Sequence, residues 1–303
     1  MIGVVCSGFL VTLLFSSLAF CESVHISINK KIYKETAIYD QGEAIKIQLI
    51  SKSTIQFSVL FLDQYHHSFL YGYGKYQTVV VGIDYQVRPG TYSLAGFYQF
   101  NPGIYFPIKY RIRIREIYPR FKNSHLIKRN SQTQHKINWA RSQKEGIYNK
   151  PSPYFSILKH FIRPVPNKVT NRFGAIRYSW DEIRKKFLKS RYHPGTDYRA
   201  TSDKLRQKPI KIFAINDGQI IFADENEVDG KMIVIDHGNG ISSSYLHLSS
   251  FFVSKGAKVN RGQKIGLAGK TGATDAIHLH LVIRMDNGKT IVNPEKFFAA
   301  FKL

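Results

Sequence analysis

Apolar and polar residues alternate with a period of two in several short stretches of the first third of the chain. Val24-His25-Ile26-Ser27-Ile28, Ala44-Ile45-Lys46-Ile47-Gln48-Leu49 and Tyr110-Arg111-Ile112-Arg113-Ile114 each place apolar side chains on one side of an extended backbone. Gln77 to Ile83 is a β-branched run, and Arg88-Pro89-Gly90 is a turn that launches Thr91-Tyr92-Ser93-Leu94. Short strands set apart by turn signals predict an antiparallel sandwich over residues 22–116. From Lys208 onward, strands and glycine turns alternate again. Ile210 to Ile215, Gln219 to Phe222, Lys231 to Ile235 and Ile241 to Tyr245 read as strands, with Asp217-Gly218 and His237-Gly238-Asn239-Gly240 as turns. Asn293-Pro294 starts a closing helix with proline at its first position. Residues 117–166 are basic, rich in Ser, Asn and Gln, and without periodicity, so they read as a linker that wraps or tethers. Ser179 to Lys189 reads as a short helix, with Trp180, Ile183 and Phe187 on one face and Ser179 and Glu182 as a capping box. No internal repeat or heptad pattern is present.

The expected fold class is therefore mainly β: an N-terminal sandwich (22–116), a basic linker (117–166) and a second, compact β-domain (167–303). The N-terminal sandwich resembles the immunoglobulin-like modules found ahead of extracellular catalytic domains. It carries no catalytic cluster, and His66-His67 reads as a surface pair.

Charge changes this picture. The net charge is +23, and between Lys109 and Arg191 there are 22 Lys/Arg against 4 Asp/Glu, which is +18 of the total. Such a span is either a solvated linker or a surface that adheres to an anionic polymer or a membrane face. Nucleic acid is not expected, because no aromatic–basic recognition module accompanies the charge. The two cysteines, Cys6 and Cys21, both lie at the extreme N-terminus, within or beside the apolar run Ile2 to Phe20. Residues 1–21 read as a signal peptide with Ala19 and Cys21 before the cut, as an uncleaved membrane span, or as a lipidation site at Cys21. Each option predicts export, to the periplasm or cell envelope. A cut there leaves no cysteine for a disulfide framework or a cysteine metal site.

The chemistry is expected in the C-terminal third. On a strand, His278 and His280 face one side while Leu279, Leu281 and Ile283 face the other. Two such imidazoles can bind one metal, or one can bind while its neighbour does acid–base work. The turn in His193-Pro194-Gly195-Thr196-Asp197 lets an imidazole and a carboxylate converge. Two His and one Asp leave a fourth position open, the layout of a catalytic zinc site. His247 and the unused member of the pair are then available to accept a proton and to steady an oxyanion.

These motifs occur in a familiar order. His193-x-Gly-x-Asp197, Asp217-Gly218, Asp236-His237-Gly-Asn-Gly240, Tyr245-x-His247-Leu248, Gly262-Gln263-x-Ile265-Gly266, Gly269-x-Thr271-Gly272 and His278-Leu279-His280 resemble the lysostaphin/LytM-type zinc peptidoglycan endopeptidases. The upstream Val169-Thr170-Asn171-Arg172-Phe173-Gly174 is similar too. The resemblance covers roughly 169–298 and implies an antiparallel β-sandwich peptidase domain with a zinc groove. It implies Zn2+ held by His193, Asp197 and His280, catalytic roles for His247 and His278, and a structural His237 at a hairpin tip. The implied activity is a metalloendopeptidase that engages the peptide stems of peptidoglycan and cuts their cross-links, in an acidic wall polymer suited to a basic chain. A catalytically silent relative that binds peptidoglycan or activates an amidase is the alternative, which the complete ligand set disfavours. The chain departs from the family pattern at Ala276-Ile277, at Leu281-Val282 and in the long stretch Ala200 to Lys208, which bear on groove shape and substrate preference.

Overall fold

The computed structural model describes residues 3–7, 10–14, 24–28, 32–33, 36–50, 56–67, 69–71, 76–101, 104–116, 122–129, 138, 142, 146–148, 160–181, 186–202 and 208–301. The expected cut near Ala19, the candidate lipidation site Cys21 and most of the 117–166 span lie outside them. No helix among the described residues is long and apolar enough to cross a membrane. The chain divides into two units, one built on Met1–Glu116 and the other on His160–Lys302 together with Ile117–Ser156.

The first unit holds two six-stranded sheets. One runs Gly3–Ser7, Leu10–Leu14, Val24–Ile28, Ala44–Ile50, Tyr76–Gly82, Phe69–Tyr71, antiparallel throughout. The other runs Ile32–Tyr33, Thr36–Asp40, Ile104–Arg115, Gly90–Asn101, Gln56–Phe61, Gln64–His67. The alternation read from the sequence sets the core: Ile45, Ile47 and Leu49 of one sheet are buried in one cluster with Tyr39, Ile112 and Ile114 of the other. Thr36–Asp40 pairs with Ile104–Arg115 in parallel, a contact between distant segments that no local pattern encodes. The side chains of His66 and His67 lie outside the described residues.

The second unit centres on an eight-stranded antiparallel sheet. Its order is Val169–Asn171, Thr196–Arg199, His278–Met285, Ser242–Leu248, Gly230–Asp236, Gly218–Asn226, Lys258–Val259, with Thr290–Val292 also paired to His278–Met285. A three-stranded sheet of Lys211–Phe213, Lys264–Leu267 and Ser250–Phe251 accompanies it. The helix Pro294–Ala300 forms as expected, with the Asn293 side chain accepting from the Glu295 and Lys296 amides and proline at the first position. The helix expected between Ser179 and Lys189 does not form. Ile176–Asp181 and Lys186–Tyr192 are antiparallel strands, with Tyr178 opposite Lys189 and Trp180 opposite Phe187. The period-two series Ile176, Tyr178, Trp180 competes with the helical grouping of Trp180, Ile183 and Phe187, and aromatic residues favour the strand.

The large sheet has two distinct faces. Tyr245, Ile233, Ile235, Leu279, Leu281 and Ile283 are buried on one of them. The opposite face carries Met232, Val234, Ser244, Leu246, His278 and His280, as the pairings Val234–Ser244 and Leu246–His280 require. Tyr148, from the span read as a linker, is buried there among Met232, Val234 and Leu246. Its hydroxyl bonds that of Ser244, and the Arg284 guanidinium lies 4.5 Å from its ring centroid. Gly288 makes room for it: with φ +87, a Cβ at that position would lie 2.2 Å from the Tyr148 Cβ. Tyr148→Ala is expected to destabilise the second unit by ~3 kcal/mol. A lowered urea midpoint with unchanged slope checks this, and an unmoved midpoint would show that the ring contributes no packing.

Candidate metal centre

Strand pairing does most of the assembly. Asp197 of Thr196–Arg199 sits directly opposite His280 of His278–Met285, so the two side chains project together from one face. His193 arrives from the preceding turn, held by its amide to the Ala175 carbonyl at 2.8 Å and by the Gly174 amide to its own carbonyl at 2.9 Å. Gly195 permits the close approach, because a Cβ there would lie 2.4 Å from the Leu281 carbonyl oxygen and 2.9 Å from the His280 ring. The result is a buried triangle. His193 Nε2 is 3.1 Å from Asp197 Oδ1, His280 Nδ1 is 2.6 Å from it, and the two nitrogens are 3.0 Å apart. All three ligand atoms lie within 4.8 Å of one another.

The protons in this triangle are constrained. His193 Nδ1 lies 2.9 Å from the Arg172 carbonyl oxygen, which only accepts, so Nδ1 carries the hydrogen and Nε2 offers a lone pair. Burial pushes His280 down to about 3 against the pull of Asp197, so the ring is neutral. Burial alone would push the Asp197 carboxyl up, yet the His280 and His193 rings outweigh it and hold it well below the usual carboxylate range. The neutral His280 ring, the inward Nε2 of His193 and one carboxylate thus crowd into a small space. A divalent cation satisfies all three donors at once, and two nitrogens with one oxygen leave a further coordination position open.

The other two histidines border this triangle. His278 follows from the strand period: Leu279, Leu281 and Ile283 are buried on the far face while His278 and His280 share the near one. Its Nδ1 lies 2.9 Å from the Ala276 carbonyl oxygen and its Nε2 3.6 Å from Asp197 Oδ1. His247 does not follow from the period. In a regular strand it would face the core beside Tyr245. The register between Gly230–Asp236 and Ser242–Leu248 shifts, from Lys231 opposite Leu248 to Ile233 opposite Tyr245, which inserts one extra residue. His247 sits in that bulge with φ +64, and the bulge turns its ring to 4.9 Å from the His278 centroid and 6.0 Å from His280. Burial, and then the His278 ring, push His247 down to about 4. Its Nδ1 lies 2.9 Å from the Thr271 carbonyl oxygen. Arg172 and Thr271 therefore orient two of the histidines through main-chain oxygens. The sequence marks both only as members of motifs, since a carbonyl contact leaves no residue-type signal.

His237 is elsewhere. It is buried on the core side, with Nδ1 2.7 Å from the Asp217 carbonyl oxygen, Nε2 2.7 Å from Ser243 Oγ, and its ring edge-on to Phe161. Burial pushes it down to about 4. The unfolded chain takes up this proton near its ordinary value of 6.5, so in between the unfolded state binds more protons and stability falls as the pH drops. The effect at this one site approaches roughly 3 kcal/mol by pH 4. Urea midpoints of wild type and His237→Gln across this window check it, and the variant should lose less stability on acidification.

Comparison with known proteins places these motifs. Residues 191–294 match the family model described as Peptidase family M23. Over 96 residues the chain is 40% identical to the peptidoglycan DD-endopeptidase ShyA of Vibrio cholerae, an alignment covering 30% of this chain and 20% of ShyA. It is 27% identical over 202 residues to an uncharacterized metalloprotease of Buchnera aphidicola, covering 62% of this chain and 52% of that one. The chain thus spans about a fifth of the length of ShyA and about half that of the Buchnera protein. Among solved structures, a putative peptidase M23 from Pseudomonas aeruginosa shares the fold at 19% identity, with a TM-score of 0.59 over 86% of this chain and 95% of that one.

Proposed function

We propose that the chain is a zinc-dependent endopeptidase that hydrolyses the peptide cross-links of peptidoglycan in the cell envelope, with its catalytic unit over the residues 191–294 that match Peptidase family M23. The observation that carries this reading is the meeting of His193, Asp197 and His280 with His247 and His278 on one face of the sheet. The name of ShyA supports the choice of substrate. In this proposal His193, Asp197 and His280 hold the ion. A zinc ion there supplies Lewis acidity, which polarises a carbonyl and acidifies a water molecule. His247, with its Nδ1 committed to Thr271, accepts the proton of the attacking water at Nε2 and passes it to the leaving amine. His278 steadies the oxyanion as the carbonyl carbon becomes tetrahedral.

His193→Ala, Asp197→Ala and His280→Ala should each lose zinc together with activity, whereas His247→Ala and His278→Ala should keep zinc and lose ~10²–10⁴-fold in turnover. Metal analysis of the folded variants, with mass analysis of digested muropeptides, checks both halves. A metal-free His278→Ala beside a zinc-bearing His280→Ala would reverse the assignment within the pair. Full activity after complete metal removal would end the zinc reading. Zinc bound with no muropeptide cleaved by the wild type would favour the silent, amidase-activating alternative.

The basic span has a definite face in the first unit. Lys109, Arg111, Arg113 and Arg115 are exposed and alternate with the buried Ile108, Ile112 and Ile114, so they form one row. Arg115 pairs with Asp40 at 2.7 Å. In this proposal the row holds the enzyme on the anionic wall polymer, and export follows from the apolar N-terminal segment. Binding to insoluble cell wall should weaken as salt rises, since exposed charges are screened over about 8–10 Å at physiological ionic strength. The triple variant Lys109→Gln, Arg111→Gln, Arg113→Gln should flatten that salt dependence. Wild-type binding that ignores salt would make the row a solvated face, and retention on anionic vesicles alone would point to a membrane.

A further inference from the structure

The bulge that delivers His247 leaves a gap in the strand ladder. Lys231 and Leu248 stand opposite one another beside the extra residue, where the ladder is locally disrupted. The Thr271 hydroxyl fills the gap. Its Oγ1 accepts the Lys231 amide at 2.9 Å and donates to the Leu248 carbonyl at 2.7 Å. One hydroxyl has one proton to give and lone pairs to offer, so it closes both ends of the interrupted ladder.

This pins the main chain of Thr271 as well as its side chain. The Thr271 carbonyl oxygen is the one that receives His247 Nδ1 at 2.9 Å. The surroundings leave it little room to move. A Cβ on Gly230, at φ +65, would lie 2.3 Å from Thr271 Oγ1, and one on Gly272, at φ +75, would lie 2.3 Å from the Gly230 amide nitrogen. His247 is braced from the other side by its own amide, which donates to the Asp229 carbonyl at 3.0 Å. The same loop reaches the second catalytic candidate, because the His278 amide donates to the Gly269 carbonyl at 3.3 Å.

We infer that Thr271 is a positioning residue: its hydroxyl, by closing the ladder at the bulge, holds its carbonyl where it fixes His247 with the proton on Nδ1 and Nε2 free. The inference rests on the proposed reading of His247 as a proton acceptor, and it goes further by naming the group that selects the ring's tautomer. A neutral imidazole has two tautomers, and only the one with a bare Nε2 accepts a proton there. An imidazole with no fixed partner on either nitrogen divides its time between them.

The test compares full-length wild type with Thr271→Val, which keeps the shape and removes the hydroxyl, and Thr271→Ser, which keeps the hydroxyl. Long-range proton–nitrogen NMR correlations of the His247 ring report the tautomer without reference to catalysis. Wild type and Thr271→Ser should show the proton on Nδ1, and Thr271→Val should show a mixture. In muropeptide hydrolysis Thr271→Val should lose about 10²-fold in kcat, as a small misplacement of a reacting group does, with KM and zinc stoichiometry unchanged. Thr271→Ser should recover most of that loss. A Thr271→Val enzyme that keeps the Nδ1 tautomer and its kcat overturns the inference, and so does a Thr271→Ser enzyme as impaired as Thr271→Val. Should Thr271→Val not fold, Thr271→Ala removes the same hydroxyl without added bulk and takes its place. If the wild type cleaves no muropeptide, the peptidase reading fails, and the tautomer comparison still decides the role of Thr271.

Discussion

A single carboxylate oxygen organises the site. Asp197 Oδ1 is approached by His193 Nε2, His280 Nδ1 and His278 Nε2, and Asp197 itself is buried. A carboxylate removed from water is tolerated only with charge or strong donors beside it. Most of what is unusual nearby gathers ligand atoms around that oxygen, where a cation would meet the demand. Adjacent strands bring Asp197 and His280 opposite one another, a glycine at 195 lets the chain pass against the His280 ring, and the Arg172 carbonyl turns the lone pair of His193 inward. An ion held by Asp197 and His280 would tie two neighbouring strands to each other. Occupancy of the site and integrity of the sheet are then thermodynamically linked, because any ligand that binds only the folded form stabilises it.

The parts of the site that depend on local periodicity were legible in the sequence. The His278 and His280 pair opposite Leu279 and Leu281 is a strand read at period two, and the core residues of both units emerge the same way. Three features were not legible, each for its own reason. Ile176 to Tyr192 carried both a helical and an alternating pattern, and the pairing of its two halves, with the distant strand Lys122–Arg129 alongside in parallel, decided between them. His247 reads as a core-facing residue by alternation, and only a register shift fixed by the neighbouring strand reverses it. Its role could be anticipated from motif order and not from its own position. The parallel contact of Thr36–Asp40 with Ile104–Arg115 joins segments about 75 residues apart, a separation at which sequence patterns say nothing of pairing.

Strain and chemistry coincide at the bulge. A left-handed backbone is uncommon for a histidine, and such conformations persist only where surrounding structure over-determines them. Around His247 that structure is specific: the Asp229 carbonyl on the amide, the Thr271 carbonyl on the ring, and paired glycines that let two loops interlock. The sheet gives up regularity at one step and gains a side chain on the face where the ligands stand.

Tyr148 has a practical consequence. The motifs begin downstream of it, so a minimal catalytic fragment designed from them would begin near residue 167. Such a fragment would discard the ring that covers Met232, Val234 and Leu246 and would leave an empty notch at Gly288. Exposed apolar surface of that kind invites self-association, with the site-bearing face as the sticky one. A truncated preparation that aggregates or behaves sluggishly would then report a missing lid of packing and say little about the competence of the histidines.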